Sequence, residues 1–168
     1  LLSAGLSSAV AATQATIEQH PAPTPGPARV ATAQLIDWIP DDRHAIAAGE
    51  TVILTVEDDP AFARILVDLI RRKGHRALAA ADGESGLELA RRYRPTGILL
   101  DVMLPGMDGW SVLQHLKHDP VTAAIPVHFI SAVDEAAKGV ALGAVGYLTK
   151  PVDRKALVAA FDHLLDVA

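Results

Sequence analysis

Between Thr51 and the C-terminus, short apolar runs alternate with stretches of helical periodicity, and this alternation limits the chain to very few folds. Residues 52–56, Val-Ile-Leu-Thr-Val, are a β-branched apolar run of the kind found in a strand buried on both faces. Asp59-Pro60 follows, an N-cap with proline at the first helical position. Phe62, Ile65, Leu66, Leu69 and Ile70 then recur at i, i+3, i+4, i+7 and i+8, one face of an amphipathic helix, and Gly74 stands where that helix would stop. The pattern repeats. Residues 76–81 form a weak, Ala-rich strand, 98–102, 127–131 and 147–149 are further strands, and 83–93, 109–118 and 134–142 are helices. A last helix begins after Pro151 with Leu157, Ala160, Phe161, Leu164 and Leu165 on one face. Five strands alternating with five helices predict an α/β fold, a doubly wound parallel sheet with helices on both faces and right-handed crossovers.

The first part of the chain has a different texture. Residues 1–20 are rich in Ala, Ser and Thr, and 21–27 read Pro-Ala-Pro-Thr-Pro-Gly-Pro, an extended and semi-rigid linker. Leu35, Ile36, Trp38 and Ile39 form a short apolar patch that Pro40, Asp41 and Asp42 interrupt. Residues 1–49 are therefore read as an extension and linker, and 50–168 as one folded domain, with no internal repeat. The opening, 1–12, is apolar but has no basic leader and no initiator Met, which points to a piece of a longer protein rather than a signal peptide. No apolar run approaches the roughly 20 residues of a membrane span. The chain has no cysteine, which excludes disulfides, thiolate chemistry and cysteine zinc sites and suits a reducing, cytoplasmic setting. A net charge of −5 without a dense basic run argues against a nucleic-acid surface.

In a parallel sheet of this kind, ligands bind beyond the carboxyl ends of the strands. The first strand ends in Glu57-Asp58-Asp59, the third at Asp101, the fourth at Ser131 and the fifth at Lys150-Pro151. Clustered carboxylates repel one another, and a hard divalent cation resolves the repulsion. Glu57, Asp58 and Asp101 suit Mg²⁺, which would neutralise incoming phosphate charge and leave Asp101 to act as nucleophile. Lys150 offers a second cation, and Ser131 a hydroxyl donor, for the phosphoryl oxygens. Each feature alone has a plainer reading. Asp59 is an N-cap, Glu57-Asp58 alone suits a turn, and proline after Lys150 allows a cis bond. His115 and His118 lie i, i+3 on a helix and His128 on a strand; a solvated helix face explains the first two better than a metal site does. The convergence of four strand ends is what carries the signal.

These segments resemble the receiver domain of two-component response regulators. Val-Glu-Asp-Asp-Pro at 56–60 is similar to that family's acidic pair. Leu-Asp-Val-Met-Leu-Pro-Gly-Met-Asp-Gly at 100–109 resembles its phosphoacceptor segment, Ile-Ser-Ala at 130–132 its switch hydroxyl, and Gly-Tyr-Leu-Thr-Lys-Pro at 146–151 its switch aromatic and lysine. The resemblance implies a flavodoxin-like strand order 2-1-3-4-5. It also implies Mg²⁺ held by Glu57, Asp58, Asp101 and the Met103 backbone carbonyl, phosphorylation of Asp101, and a relay through Ser131 and Tyr147, with Lys150 on the phosphoryl group. The donor it implies is the phosphohistidine of a histidine kinase or a histidine phosphotransfer domain. The domain would catalyse its own phosphorylation and dephosphorylation and turn over no external substrate. His-Asp-Pro at 118–120, Ile-Pro-Val-His at 125–128 and the text at 143–151 also resemble receivers within hybrid histidine kinases, whose upstream modules the Pro-rich linker could join.

Other readings compete. A phosphohydrolase of the haloacid-dehalogenase type resembles a pattern with a second Asp two residues on, where this chain has Met103. A dinucleotide or flavin binder needs a Gly-rich or Ser/Thr-rich loop where Glu57-Asp58-Asp59 stands. The serious rival is a receiver that serves as a docking module without being phosphorylated.

Overall fold

The computed structural model describes residues 39–168. Its elements run β1 (Val52–Val56), α1 (Pro60–Arg72), β2 (Arg76–Ala80), α2 (Gly83–Tyr93), β3 (Gly97–Leu100), α3 (Gly109–His118), β4 (Val127–Ser131), α4 (Ala136–Ala141), β5 (Gly146–Thr149) and α5 (Arg154–Asp166). The strands form one parallel sheet in the order β2-β1-β3-β4-β5. The fold expected from the alternation is the fold observed. The Ala-rich β2 holds its place through pairing, since all five of its residues stand in register with β1; its own propensity is poor.

Two apolar layers cover the sheet. On one face Val52, Leu54, Val56, Ile98, Leu100 and Phe129 pack against Leu87 and Ala90 of α2 and Val112, Leu113 and Leu116 of α3. On the other, Ile53, Leu99 and Ile130 pack against α1 and against Leu157, Phe161 and Leu164 of α5. The buried arc of α1 is rotated from the one the periodicity suggests. Ala63, Leu66, Val67, Leu69 and Ile70 are buried, whereas Ile65 is 53% exposed and Phe62 is half-buried. Ala63 and Val67, small enough to sit tight on the sheet, take the inward positions and turn Ile65 to the outside.

Side chains of Asp59, Asp82, Asp108 and Asp153 accept backbone N–H bonds at the starts of α1, α2, α3 and α5. The short α4 has no such cap, and it begins two residues later than the sequence pattern suggests. Strand β3 stops at Leu100, but the Asp101 N–H still bonds the Val56 carbonyl, at 3.0 Å. That bond fixes Asp101 at the end of the ladder beside Glu57.

Within residues 39–49, read from sequence as the end of the linker, Asp41, Asp42 and Arg43 bond the free edge of β2. Ile39 is buried in the α1 layer. The Asp42 carboxylate accepts the Ala77 N–H at 2.9 Å, the Asp41 carboxylate accepts the Ala79 N–H at 3.1 Å, and the Asp42 N–H reaches the Ala77 carbonyl. Two aspartates thus satisfy an edge that would otherwise offer its amides to another chain. Arg43 is paired with Asp41 at 2.7 Å and Arg71 with Asp42 at 2.9 Å. Asp41→Ala leaves the Ala79 N–H and the Arg43 guanidinium without that carboxylate, and should lower stability by about 1–3 kcal/mol. A urea midpoint within error of wild type would show that the edge is held by something else.

His128 points into the α5 side of β4, 5% exposed, with Nδ1 2.9 Å from the Phe129 carbonyl. Burial holds its pKa below 6.5; the bond to Phe129 pulls upward and the nearby His163 adds to the depression. The unfolded chain therefore takes up a proton near pH 6.5 that the folded chain refuses, and stability is lost as pH falls through 6.5. Compared with a His128→Leu variant at each pH, wild type should lose ground on acidification. Parallel stability curves would refute this.

Candidate functional site

The carboxyl ends of β1, β3, β4 and β5 bring Glu57, Asp58, Asp101, Ser131 and Lys150 into one group, each at the strand end where the sequence pattern places it. Glu57 is 2% exposed and Asp101 5%. Glu57 Oε1 accepts the Asp59 N–H at 3.0 Å, and Oε2 accepts from Lys150 Nζ at 2.8 Å. Asp101 Oδ2 accepts from the same ammonium at 3.0 Å. Asp101 Oδ1 accepts from Ser131 Oγ at 2.6 Å and from the Met103 N–H at 3.1 Å. Asp58 is exposed at the rim. The Lys150–Pro151 bond is cis.

Electrostatically the group is short of positive charge: three carboxylates face one ammonium. Burial pushes the Glu57 carboxyl up to about 7, against the pull of Lys150 and the Asp59 amide. Burial also works against the Lys150 charge, but the hydrogen bonds to Glu57 and Asp101 outweigh it and raise the lysine's pKa. The site thus holds its lysine charged while one acid sits near neutrality, and a further cation would return that acid to its charged form. Oxygens of Glu57, Asp58 and Asp101 all lie within 4.8 Å of one another, close enough to share one metal ion. Oxygen-only donors of this number suit Mg²⁺. Among the described residues the histidines form no comparable group. His115 and His118 are on the outer face of α3, each bonded to a carbonyl one turn back.

Beside Asp58 opens a cleft of about 520 Å³, walled by Met103, Leu104, Trp110, Val133, Glu135 and Lys138 among others. Its Trp110 wall is backed by two further rings. Trp110 stacks on Tyr147 at 6.2 Å between centroids and meets Phe129 at 4.8 Å, while Lys138 lies 4.5 Å over the indole. The Tyr147 hydroxyl donates to the Val133 carbonyl, two residues past Ser131. Ser131 and Tyr147 are therefore joined through one short loop, since Ser131 Oγ also accepts the Val133 N–H, at 3.4 Å. Sequence reasoning found the polar members of the site but missed Phe62, whose ring lies 4.5 Å from Lys150 Nζ, and the Trp110–Lys138 pair. No local pattern links Phe62 to Lys150. Lys150 reaches from the end of β5 to Glu57 at the end of β1, and there it meets Phe62 in the first turn of α1.

The doubly wound five-stranded parallel sheet, with helices on both faces, is a fold that solved structures share. A putative response regulator from Chloroflexus aurantiacus superimposes with a TM-score of 0.65 at 29% identity, covering 70% of this chain and 98% of that one. A sensor protein from Polaromonas sp. JS666 does so at 0.63 and 27%, covering 70% and 98%. The sequence profile of the response regulator receiver domain matches residues 53–162, and the chain belongs to that family. Protein PilH of Pseudomonas aeruginosa is 35% identical over 116 residues, 67% of this chain and 96% of its own length. Response regulator PleD of Caulobacter vibrioides is 43% identical over 110 residues, 64% of this chain but 24% of its own length. The chain thus spans nearly all of one relative and about a quarter of the other. No helix among the described residues is long and apolar enough to cross a membrane.

Proposed function

We propose that this receiver takes a phosphoryl group from a phosphohistidine onto Asp101 with the help of Mg²⁺, and that the acyl phosphate switches a partner-binding face. The observation that carries the reading is the convergence on Asp101. One carboxylate, 5% exposed, meets a lysine ammonium, a serine hydroxyl and two further carboxylates drawn from four strand ends. Glu57, Asp58, Asp101 and the Met103 backbone carbonyl would hold the metal, which supplies charge neutralisation for the incoming phosphoryl oxygens.

The rest follows from the chain's own groups. An Asp101 oxygen attacks phosphorus as the bond to the donor's imidazole nitrogen breaks, and the imidazole leaves with the electron pair and takes a proton from water. Lys150, already charged and 3.0 Å from Asp101, turns to a phosphoryl oxygen. Ser131, freed from Asp101 Oδ1, donates to another. Its movement draws on the loop that carries the Val133 carbonyl and so on Tyr147. The phosphoryl group shifts the equilibrium only through such contacts, present in one state and absent in the other. The donor is a histidine kinase or histidine phosphotransfer domain, including one borne on upstream modules of the same polypeptide.

Incubation with acetyl phosphate and Mg²⁺ should add one phosphoryl group by intact mass. Chelation of the metal, or Asp101→Asn, should reduce the addition to background. An Asp101→Asn variant that labels at the wild-type level would end this reading. A wild type that never labels would favour a docking module instead.

A further inference from the structure

We propose that Phe62 is a positioning residue for Lys150, its ring being the third partner of the ammonium that serves Asp101. This inference rests on the phosphoacceptor reading above. A lysine ammonium has three N–H donors and no acceptor. Two are engaged, by Glu57 at 2.8 Å and Asp101 at 3.0 Å. The Phe62 ring centroid lies 4.5 Å from Nζ, inside the roughly 6 Å over which a ring face attracts a cation. Phe62 is half-buried in the α1 layer, so the ring is itself held in place. The lysine side chain is 21% exposed, and its four-carbon stem would otherwise let water compete for the charge.

A ring suits the task better than a third oxygen. During transfer Lys150 must redirect a donor from a carboxylate to the phosphoryl group. A carbonyl or carboxylate at the third side would hold one N–H along a fixed direction. The face of a ring attracts the charge with little regard to how the three N–H bonds are turned, so the ammonium can rotate without leaving the site.

The test compares wild type, Phe62→Leu and Phe62→Tyr as intact chains, each first shown to be folded by its amide spectrum. Leucine keeps the apolar packing and removes the ring; tyrosine keeps the ring. With acetyl phosphate and Mg²⁺, Phe62→Leu should be phosphorylated about three- to tenfold more slowly, and Phe62→Tyr should stay within about twofold of wild type. The Lys150 ε-methylene protons should show a ring-current shift in wild type and Phe62→Tyr that is lost in Phe62→Leu. Equal slowing of Phe62→Leu and Phe62→Tyr would show that the ring does not carry the effect, and that outcome overturns the proposal. So does a Phe62→Leu variant that labels at the wild-type rate while wild type labels normally. Failure of wild type itself to label would bring down the phosphoacceptor reading and this inference with it.

Discussion

Gly109→Ala is expected to be the most damaging single-methyl change in this domain. Gly109 opens α3, just after the Asp108 cap, and its N–H bonds the Val102 carbonyl at 2.9 Å. A Cβ there would stand 2.1 Å from the Asp101 carbonyl oxygen and 2.7 Å from the Val102 Cα. These neighbours are backbone, so no rotamer change relieves the clash. Either α3 lifts from the sheet or the segment carrying Asp101 moves. The first opens the layer around Val112, Leu113 and Leu116; the second displaces the site. Overpacking against fixed atoms ordinarily costs about 1–3 kcal/mol, and contact this close belongs at or above the upper end. The urea midpoint should fall accordingly, and phosphorylation should fall with it. A loss below about 1 kcal/mol would mean that the α3–β3 junction is far softer than its packing suggests.

Lys150→Met should separate two properties that usually decline together. Methionine matches the length of the lysine stem but has no charge. The incoming phosphoryl group then loses its protein cation, and by analogy with the removal of a preorganised donor, phosphorylation should slow by about 10²-fold. Metal binding should move the other way. Lys150 sits between Glu57 and Asp101, at 2.8 and 3.0 Å, and repels a dication arriving at the same oxygens. Without it that competing charge is gone, and at a pH high enough to keep Glu57 ionised Mg²⁺ should bind severalfold more tightly. Titration calorimetry and the labelling rate, measured on the same preparation, read the two effects. A variant that loses both metal affinity and rate would show that the lysine mainly holds the carboxylates in place.

The strand-and-helix alternation was legible because buried parallel strands and amphipathic helices leave opposite periodicities, and residues 52–56 and 157–164 show them clearly. The polar site was legible for a related reason. A strand end is a fixed place in this fold, so Glu57, Asp101, Ser131 and Lys150 could be assigned to one crevice before their distances were known. What escaped depends on three-dimensional packing. Ile65 has the spacing of a core residue, yet smaller neighbours take the inward arc. Asp41 and Asp42 look like the end of a linker, and only their bonds to Ala77 and Ala79 reveal them as cover for the β2 edge. The contacts of Phe62 with Lys150 and of Trp110 with Lys138 join elements far apart in sequence, and neither half of either pair announces the other.

The phosphoryl group is expected on Asp101 and on no other acid of the cluster. An acyl phosphate is reduced by borohydride to an alcohol, which turns a phosphorylated aspartate into homoserine and leaves free carboxylates untouched. Protein labelled with acetyl phosphate and Mg²⁺, reduced in this way and sequenced by tandem mass spectrometry, should carry homoserine at position 101 and unaltered residues at 57, 58 and 59. Reduction at Glu57 or Asp58 with Asp101 intact would contradict the account.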